Sequence, residues 1–119
     1  MSYDISLRDP VTRETIHADT PHQIRGGIFA LNGTTALSLN VTYNYVAHFR
    51  RVIDPDKGIR AIYGKTGAES IPILNAAISK LDDDVDPDYW KPTPGNAKAA
   101  LCGLLAFAQM RPDGVWDGD

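Results

Sequence analysis

Cysteine is nearly absent from this chain of 119 residues, in which Cys102 is the only one. A single cysteine excludes an internal disulfide and the thiolate-rich zinc sites, and it is typical of a protein in a reducing compartment. Because Cys102 lies in an apolar helical run, we expect a buried and unreactive thiol.

Long hydrophobic runs are absent as well, and none approaches the roughly 20 residues that a membrane-spanning helix needs. The N-terminus has neither a basic start nor a hydrophobic block, so we expect no secretory signal. Both absences predict a cytoplasmic protein with no membrane partner. The length and the ordinary composition, 43% apolar and 23% charged, predict one domain over residues 1–119.

A strong charge of one sign is also missing, because the formal net charge is only −3. This value does not favour nucleic acid as a partner. The charges are nevertheless separated along the chain, with a basic centre and an acidic C-terminal third. The basic residues are Arg50, Arg51, Lys57, Arg60 and Lys65, and the acidic ones include Asp82, Asp83, Asp84, Asp86 and Asp88. The simplest interpretation of each cluster is a solvated face.

What the chain does have is a two-residue hydrophobic period around Asn32-Gly33. An Asn-Gly step suits the positive-φ positions of a type I′ turn, so residues 28–45 predict a β-hairpin. Residues 3–7 and 14–18 predict an earlier hairpin, with a bend at Gly26-Gly27 before the second. We therefore predict an N-terminal antiparallel sheet of about four strands with one apolar face.

After Tyr45 the period becomes helical, and three to four C-terminal helices are predicted to cover that face. The fold class is therefore α+β. The helix in the middle of this region begins either at a capping box formed by Thr66 and Glu69 or at Ser70, which would place Pro72 more comfortably.

The last helix, between Asn96 and Met110, is predicted to begin at Thr93-Pro94 and is apolar nearly all round. Such a helix is buried, either centrally in its own domain or against a second copy. We favour burial within the domain, and the alternative predicts a homodimer through this helix.

Motifs for catalysis or metal binding are incomplete. Gly64-Lys65-Thr66 resembles the end of a P-loop, but its spacing from Gly58 is wrong and the residues between are bulky. Asp82, Asp84 and Asp86 have the alternate spacing of an EF-hand loop, yet the glycine and the closing glutamate of that loop are missing. The three histidines have no ligand spacing. We therefore predict no enzymatic activity, no cofactor and no metal.

Two surfaces carry the binding hypotheses. The uncharged polar face of the second hairpin, followed by an aromatic and acidic loop, is typical of protein recognition; its residues are Asn40, Thr42, Asn44, Asp88, Tyr89 and Trp90. The alternative is a phosphate or nucleotide site at the loop between Gly64 and Gly67, where a helix N-terminus favours an anion. Its residues are Arg50, Arg51, Arg60, Lys65 and Thr66.

Three segments carry a resemblance to a known family. They are Leu-Asn-Val-Thr-Tyr-Asn-Tyr at residues 39–45, Ile-Tyr-Gly-Lys-Thr-Gly-Ala-Glu-Ser at 62–70 and Arg-Pro-Asp-Gly-Val-Trp-Asp-Gly-Asp at 111–119. The chain resembles a family of small, uncharacterised proteins associated with bacteriophage and prophage genomes. The resemblance assigns no residue a role. It implies an accessory protein that binds a host macromolecule in the host cytoplasm, and hence a protein partner.

Overall fold

A three-stranded antiparallel sheet organises the computed structural model, which describes residues 1–25 and 31–119. Strand β1 (Ser2–Arg8) lies in the centre, between β4 (Ser38–Thr42) and the C-terminal β5 (Val115–Gly118). Strand β2 (His17–His22) pairs with β3 (Thr34–Ala36) in a separate two-stranded sheet.

The two faces of the larger sheet differ in polarity, as the alternation of β1 requires. Tyr3, Ile5 and Leu7 are buried on one face. On the other face the amide of Asn40 in β4 donates to Ser2 Oγ at 2.7 Å and to Asp4 Oδ1 at 2.6 Å. The apolar face belongs to a hydrophobic core that also takes buried side chains from every helix.

Three α-helices follow the first four strands: α1 (Val46–Val52), α2 (Gly67–Ser79) and α3 (Pro94–Met110). Two 3-10 turns, Tyr43–Tyr45 and Gly58–Ile62, flank α1. Helix α3 packs mainly against α2, and it also contacts α1 and β4. Nine of its residues are buried, so the helix is central to the domain as favoured above.

The α+β class is confirmed, whereas the strand arrangement differs from the predicted single sheet. The first hairpin persists only as a short link, in which Ile16 N–H donates to the Leu7 carbonyl at 2.9 Å. Beyond that link β2 turns away to pair with β3. Strand β5 was not predicted as a strand, because a four-residue segment containing Asp117 and Gly118 has little strand propensity of its own.

The turn at Asn32-Gly33 is also different from the prediction. Gly33 has a φ of 81°, but Arg13 is the only non-glycine residue with a positive φ among those that the structure describes. A type I′ turn needs positive φ at both central residues, so the turn is not of that type. The predicted bend at Gly26-Gly27 and the start of the predicted hairpin at residues 28–30 lie outside the described residues.

Cys102 is exposed, which corrects the expectation of a buried thiol. It lies on the outer side of α3 with Ala99 and Gln109. The expectation followed from the apolar neighbours of Cys102 along the sequence, whereas burial in a helix depends on the face that a residue occupies. None of the described helices combines the length and the apolar character that crossing a bilayer requires.

Candidate functional site

Residues 82–93, between α2 and α3, contain no helix or strand and are named here the acidic-aromatic loop. The side chain of Asn96 in the first turn of α3 fixes this loop from one side. Its Oδ1 accepts from Asp86 N–H at 3.0 Å, and its Nδ2 donates to the carbonyls of Asp88 and Lys91, each at 3.0 Å. Asn96 is 6% exposed, so these bonds are shielded from water.

The N-terminus of α3 adds a second attachment. Thr93 caps the helix by accepting from Asn96 N–H at 3.1 Å, and Gly95 N–H donates to Asp84 Oδ1 at 3.0 Å. A Cβ on Gly95 would lie 2.6 Å from the backbone of Asp84 and Val85. Glycine at this position therefore allows the loop to pack directly on the helix.

Tyr89 fixes the loop to the edge of the larger sheet. Its hydroxyl accepts from Thr42 N–H at 2.9 Å and donates to the Asn40 carbonyl at 3.3 Å. Because β4 is an edge strand, these two groups lack a neighbouring strand, and the tyrosine hydroxyl satisfies them in its place.

The chain around α1 provides a fourth attachment. Asn44 Nδ2 donates to the Trp90 carbonyl at 2.8 Å, and the Tyr45 hydroxyl donates to the Tyr89 carbonyl. Burial, with Tyr89 and Asp88 nearby, raises the pKa of Tyr45, so its hydroxyl stays a donor at neutral pH. His48 Nε2 lies 2.7 Å from the Pro92 carbonyl.

Although its backbone is fixed, the loop leaves large apolar side chains in solvent. Val85 is 64% exposed and Trp90 is 50% exposed. The Trp90 ring packs edge-on against Tyr89, with ring centroids 5.0 Å apart. The loop also has the exposed carboxylates of Asp82, Asp84 and Asp88, whereas that of Asp83 forms an ion pair with Lys98.

A cleft of about 230 Å³ opens between the loop and α3. Its walls include Tyr45, Val85, Asp86, Tyr89 and Ala100. One oxygen of Asp86 accepts from Asp88 N–H at 2.8 Å, which lowers the pKa of the carboxyl, and the other lies 3.4 Å from Lys91 Nζ. Asp86 is therefore ionised at neutral pH, and the cleft is lined by this carboxylate, by the basic residue Arg25 and by apolar side chains.

The structure brings the predicted recognition residues close together, but some of them are buried or hydrogen-bonded inside the protein and others are on the surface. Thr42 is 1% exposed, and its side chain caps the turn that follows β4. The amides of Asn40 and Asn44 are engaged with neighbouring chain segments. Asp88 and Trp90 remain on the surface. Most of the predicted set therefore positions the loop, whereas Asp88 and Trp90 face outward.

The loop between Gly64 and Gly67 does not offer the free N–H groups for which an anion site was predicted there. The first N–H groups of α2 are used inside the protein: Gly67 N–H donates to the Gly114 carbonyl at 2.8 Å and Ala68 N–H to the Pro112 carbonyl at 2.9 Å. Glu69 N–H donates to Thr66 Oγ1 at 3.1 Å. Gly67 and Ala68 are not free to bind an anion because the segment that leads into β5 supplies the carbonyls that accept from them.

The basic residues of that prediction are also not in one place. Arg50 and Arg60 line a common groove that includes neither Lys65 nor Thr66. Arg51 instead lies against His48, with Nη2 3.2 Å from Nδ1. The main-chain carbonyl of Lys65 accepts from Trp116 N–H at 2.9 Å.

Asn96, Gly95 and His48 are structural residues of the site that sequence reasoning did not select. Asn96 stands three residues after the capping threonine, where a polar side chain is ordinary, so nothing in the sequence marked it as a buried hub. Within the described part of the chain, no group of three or more His, Cys, Asp or Glu side chains has an arrangement that could hold a metal ion.

Comparison with known proteins finds no relative of this chain. No protein-family model matches the chain, and neither a curated protein nor a solved structure matches it.

Proposed function

We propose that this chain is a non-catalytic protein-binding domain whose binding surface is the acidic-aromatic loop. The observation that carries the proposal is the exposure of Val85 and Trp90 on a loop whose backbone is fixed from three sides. A partner that covers these side chains gains apolar burial without the cost of ordering the loop.

The chemistry of the surface indicates the kind of partner. Tryptophan is among the residues that most often dominate interface energetics, and the cleft beside the loop could receive a side chain from the other protein. The surrounding carboxylates favour a basic surface and disfavour an acidic one. We therefore propose a partner that presents lysine or arginine around an apolar centre.

The resemblance to phage-associated proteins suggests the biological role that we propose. In this role the chain is a phage-encoded accessory protein that modulates a host protein in the host cytoplasm. The fold and the loop are independent of this context, so the binding proposal does not rest on it.

The test compares two variants of equal exposure in capture experiments with host lysate. Trp90→Ala removes the proposed anchor, whereas Met110→Ala removes a side chain that is 49% exposed at the end of α3. We expect wild type and Met110→Ala to retain the same partner. Trp90→Ala should weaken the affinity for the purified partner at least about thirtyfold, which corresponds to about 2 kcal/mol.

The association rate at different salt concentrations provides a second test. Attraction by the aspartates speeds association with a basic partner, and salt screens this attraction, so we expect the rate to decrease as the ionic strength rises. Capture of no protein by the wild type would remove the host protein as the partner, and equal affinity of all three proteins for the captured partner would remove the loop as the binding surface.

A further inference from the structure

A second groove, of about 200 Å³, lies beside α1 and the 3-10 turn that follows it. Its lining consists of Tyr3, Tyr43, Val46, Arg50 and Arg60, so none of the described residues that line it is acidic. Arginine side chains provide only positively charged hydrogen-bond donors, and tyrosine adds an uncharged hydroxyl, which can donate or accept, and aromatic surface.

One residue of this lining, Tyr3, has a hydroxyl without a hydrogen-bond partner among the described residues. Tyr3 is 2% exposed, and its ring packs edge-on against Tyr43 with centroids 4.6 Å apart. Burial raises the pKa of Tyr3 against the lowering effect of Arg60, so the hydroxyl stays protonated at neutral pH.

Arg60 is held in place on one side of the groove. Its guanidinium carbon lies 5.0 Å from the centroid of the Tyr3 ring and 5.7 Å from that of Tyr43. Its Nε donates to the main-chain oxygen of Asp119 at 2.8 Å, and its Nη2 donates to the Tyr43 hydroxyl at 3.2 Å. The carboxylate of Asp119 is engaged elsewhere, because it accepts from Asp4 N–H at 2.8 Å.

Arg50 lines the same groove from α1. It is exposed, and within the described part of the chain its guanidinium has no hydrogen bond and no ion pair. The groove therefore combines a positioned arginine, an unpaired arginine and an unused phenol.

We propose that this groove binds the phosphate group of a phosphate monoester. Such a group carries a charge of about −1.5 to −2 at neutral pH and three acceptor oxygens, which match two guanidiniums and one hydroxyl donor. The groove is smaller than the pockets of roughly 300–1,000 Å³ that enclose drug-sized ligands, so it takes the phosphate and the atoms next to it.

The phosphate can come from a small metabolite or from a phosphorylated side chain, and the choice of probes separates the two. Calorimetric titration of the full chain uses inorganic phosphate, a ribonucleoside 5′-monophosphate and a phosphotyrosine peptide. We expect saturable binding of at least one monoester. Its affinity should fall as the pH is lowered below about 6, where the monoester takes up its second proton.

Neighbouring arginines supply a matched control. Arg50→Gln should weaken binding about tenfold or more, because a charge-assisted contact is lost. Tyr3→Phe, which keeps the ring, should also weaken it. Arg51→Gln removes the same charge from the adjacent position, outside the groove, and should leave the affinity within about twofold, because exposed charges at a distance are screened.

The proposal is overturned if no monoester binds at millimolar concentration, or if Arg51→Gln loses as much affinity as Arg50→Gln. Binding by Trp90→Ala should equal that of the wild type, so the phosphate site and the proposed protein-binding loop succeed or fail separately.

Discussion

Asn96 is a polar residue whose side chain is nearly inaccessible to water, and its three hydrogen bonds all end on the acidic-aromatic loop. An asparagine amide offers both donors and an acceptor, which is why one side chain can satisfy an N–H group and two carbonyls at once. The loss of any of these bonds is costly, because the backbone group left without a partner is buried and cannot form a replacement hydrogen bond with water.

Asn96→Ala should therefore destabilise the protein by about 1–3 kcal/mol and loosen the loop. Denaturant unfolding measures the first effect, and amide hydrogen exchange at Asp86 measures the second. Asn44→Ala is the control, because its bond to the Trp90 carbonyl lies in solvent and its loss should cost less than about 1 kcal/mol. Equal losses from the two variants would contradict the hub role of Asn96.

Helix α2 shows how local signals decide where an element begins. Thr66 caps it in a complete capping box with Glu69, so one of the two predicted starts is confirmed and the Ser70 start is wrong. Pro72 consequently lies inside the helix. The side chain of Ser70 is used in another way, since its hydroxyl accepts from Trp116 Nε1 at 2.8 Å and donates to the Gly67 carbonyl at 2.7 Å.

The cap of α2 also makes stability depend on pH. The pKa of Glu69 is lowered by two hydrogen bonds with Thr66, of which the one from the backbone N–H has the larger effect. The pKa of Asp54 is lowered by hydrogen bonds from the backbone N–H groups of Lys57 and Asp56. A lowered pKa means that the folded state binds fewer protons than the unfolded one. The stabilisation is therefore complete above the ordinary carboxyl values of about 3.9 to 4.3 and is lost as the pH falls through the folded values.

We expect the denaturation midpoint to decrease from about pH 4.5 downward. Glu69→Gln should make that decrease shallower, because an uncharged amide keeps the cap without titrating. Unfolding curves between neutral and acidic pH test this expectation, and identical pH profiles for variant and wild type would refute it.

The contact between the first turn of α3 and the acidic-aromatic loop depends on Gly95. Gly95→Ala places a methyl group against the backbone of Asp84 and Val85, which no side-chain rotation relieves. We expect a loss of about 1–3 kcal/mol from overpacking and a displaced loop. Binding of the proposed partner should weaken although no exposed residue has changed. Full stability together with full partner affinity would show that the close contact is not needed.

At the scale of the whole molecule, the last segment of the chain closes the fold. Strand β5 pairs with β1 on one side, while Trp116 exchanges hydrogen bonds with Gly64 and Lys65 on the other. Trp116 is 1% exposed and is among the largest fully buried side chains. The homodimer through α3 stays a prediction, and the strip that α3 leaves exposed includes Ala99, Cys102, Gln109 and Met110.

The two tryptophans of the chain form a matched pair for a test of this closure. Trp116→Ala should cost about 3–5 kcal/mol, because it removes a large buried side chain and leaves a cavity. Trp90→Ala removes the same atoms from the surface and should cost less than about 1 kcal/mol. Thermal or denaturant unfolding compares them, and a large loss for Trp90→Ala would mean that this residue supports the fold rather than serving as a free anchor.

The sequence by itself determined the local features of this protein. Alternation along residues 37–41 placed apolar side chains on one face of a strand, and Thr66 and Thr93 marked helix starts, because these signals act between residues a few positions apart. It also predicted that the polar end of β4 and the aromatic loop form one candidate surface.

Only the tertiary structure decided which of those polar groups are free. The Tyr89 hydroxyl reaches Thr42 and the Asn96 amide reaches Asp86 because strands and helices distant in sequence pack together. The same long-range pairing made a strand of the tail at Val115–Gly118 and consumed the anion-binding N–H groups of α2. Hydrogen-bond partners contributed by remote segments leave no periodic or compositional signal, so they could not be read from the chain alone.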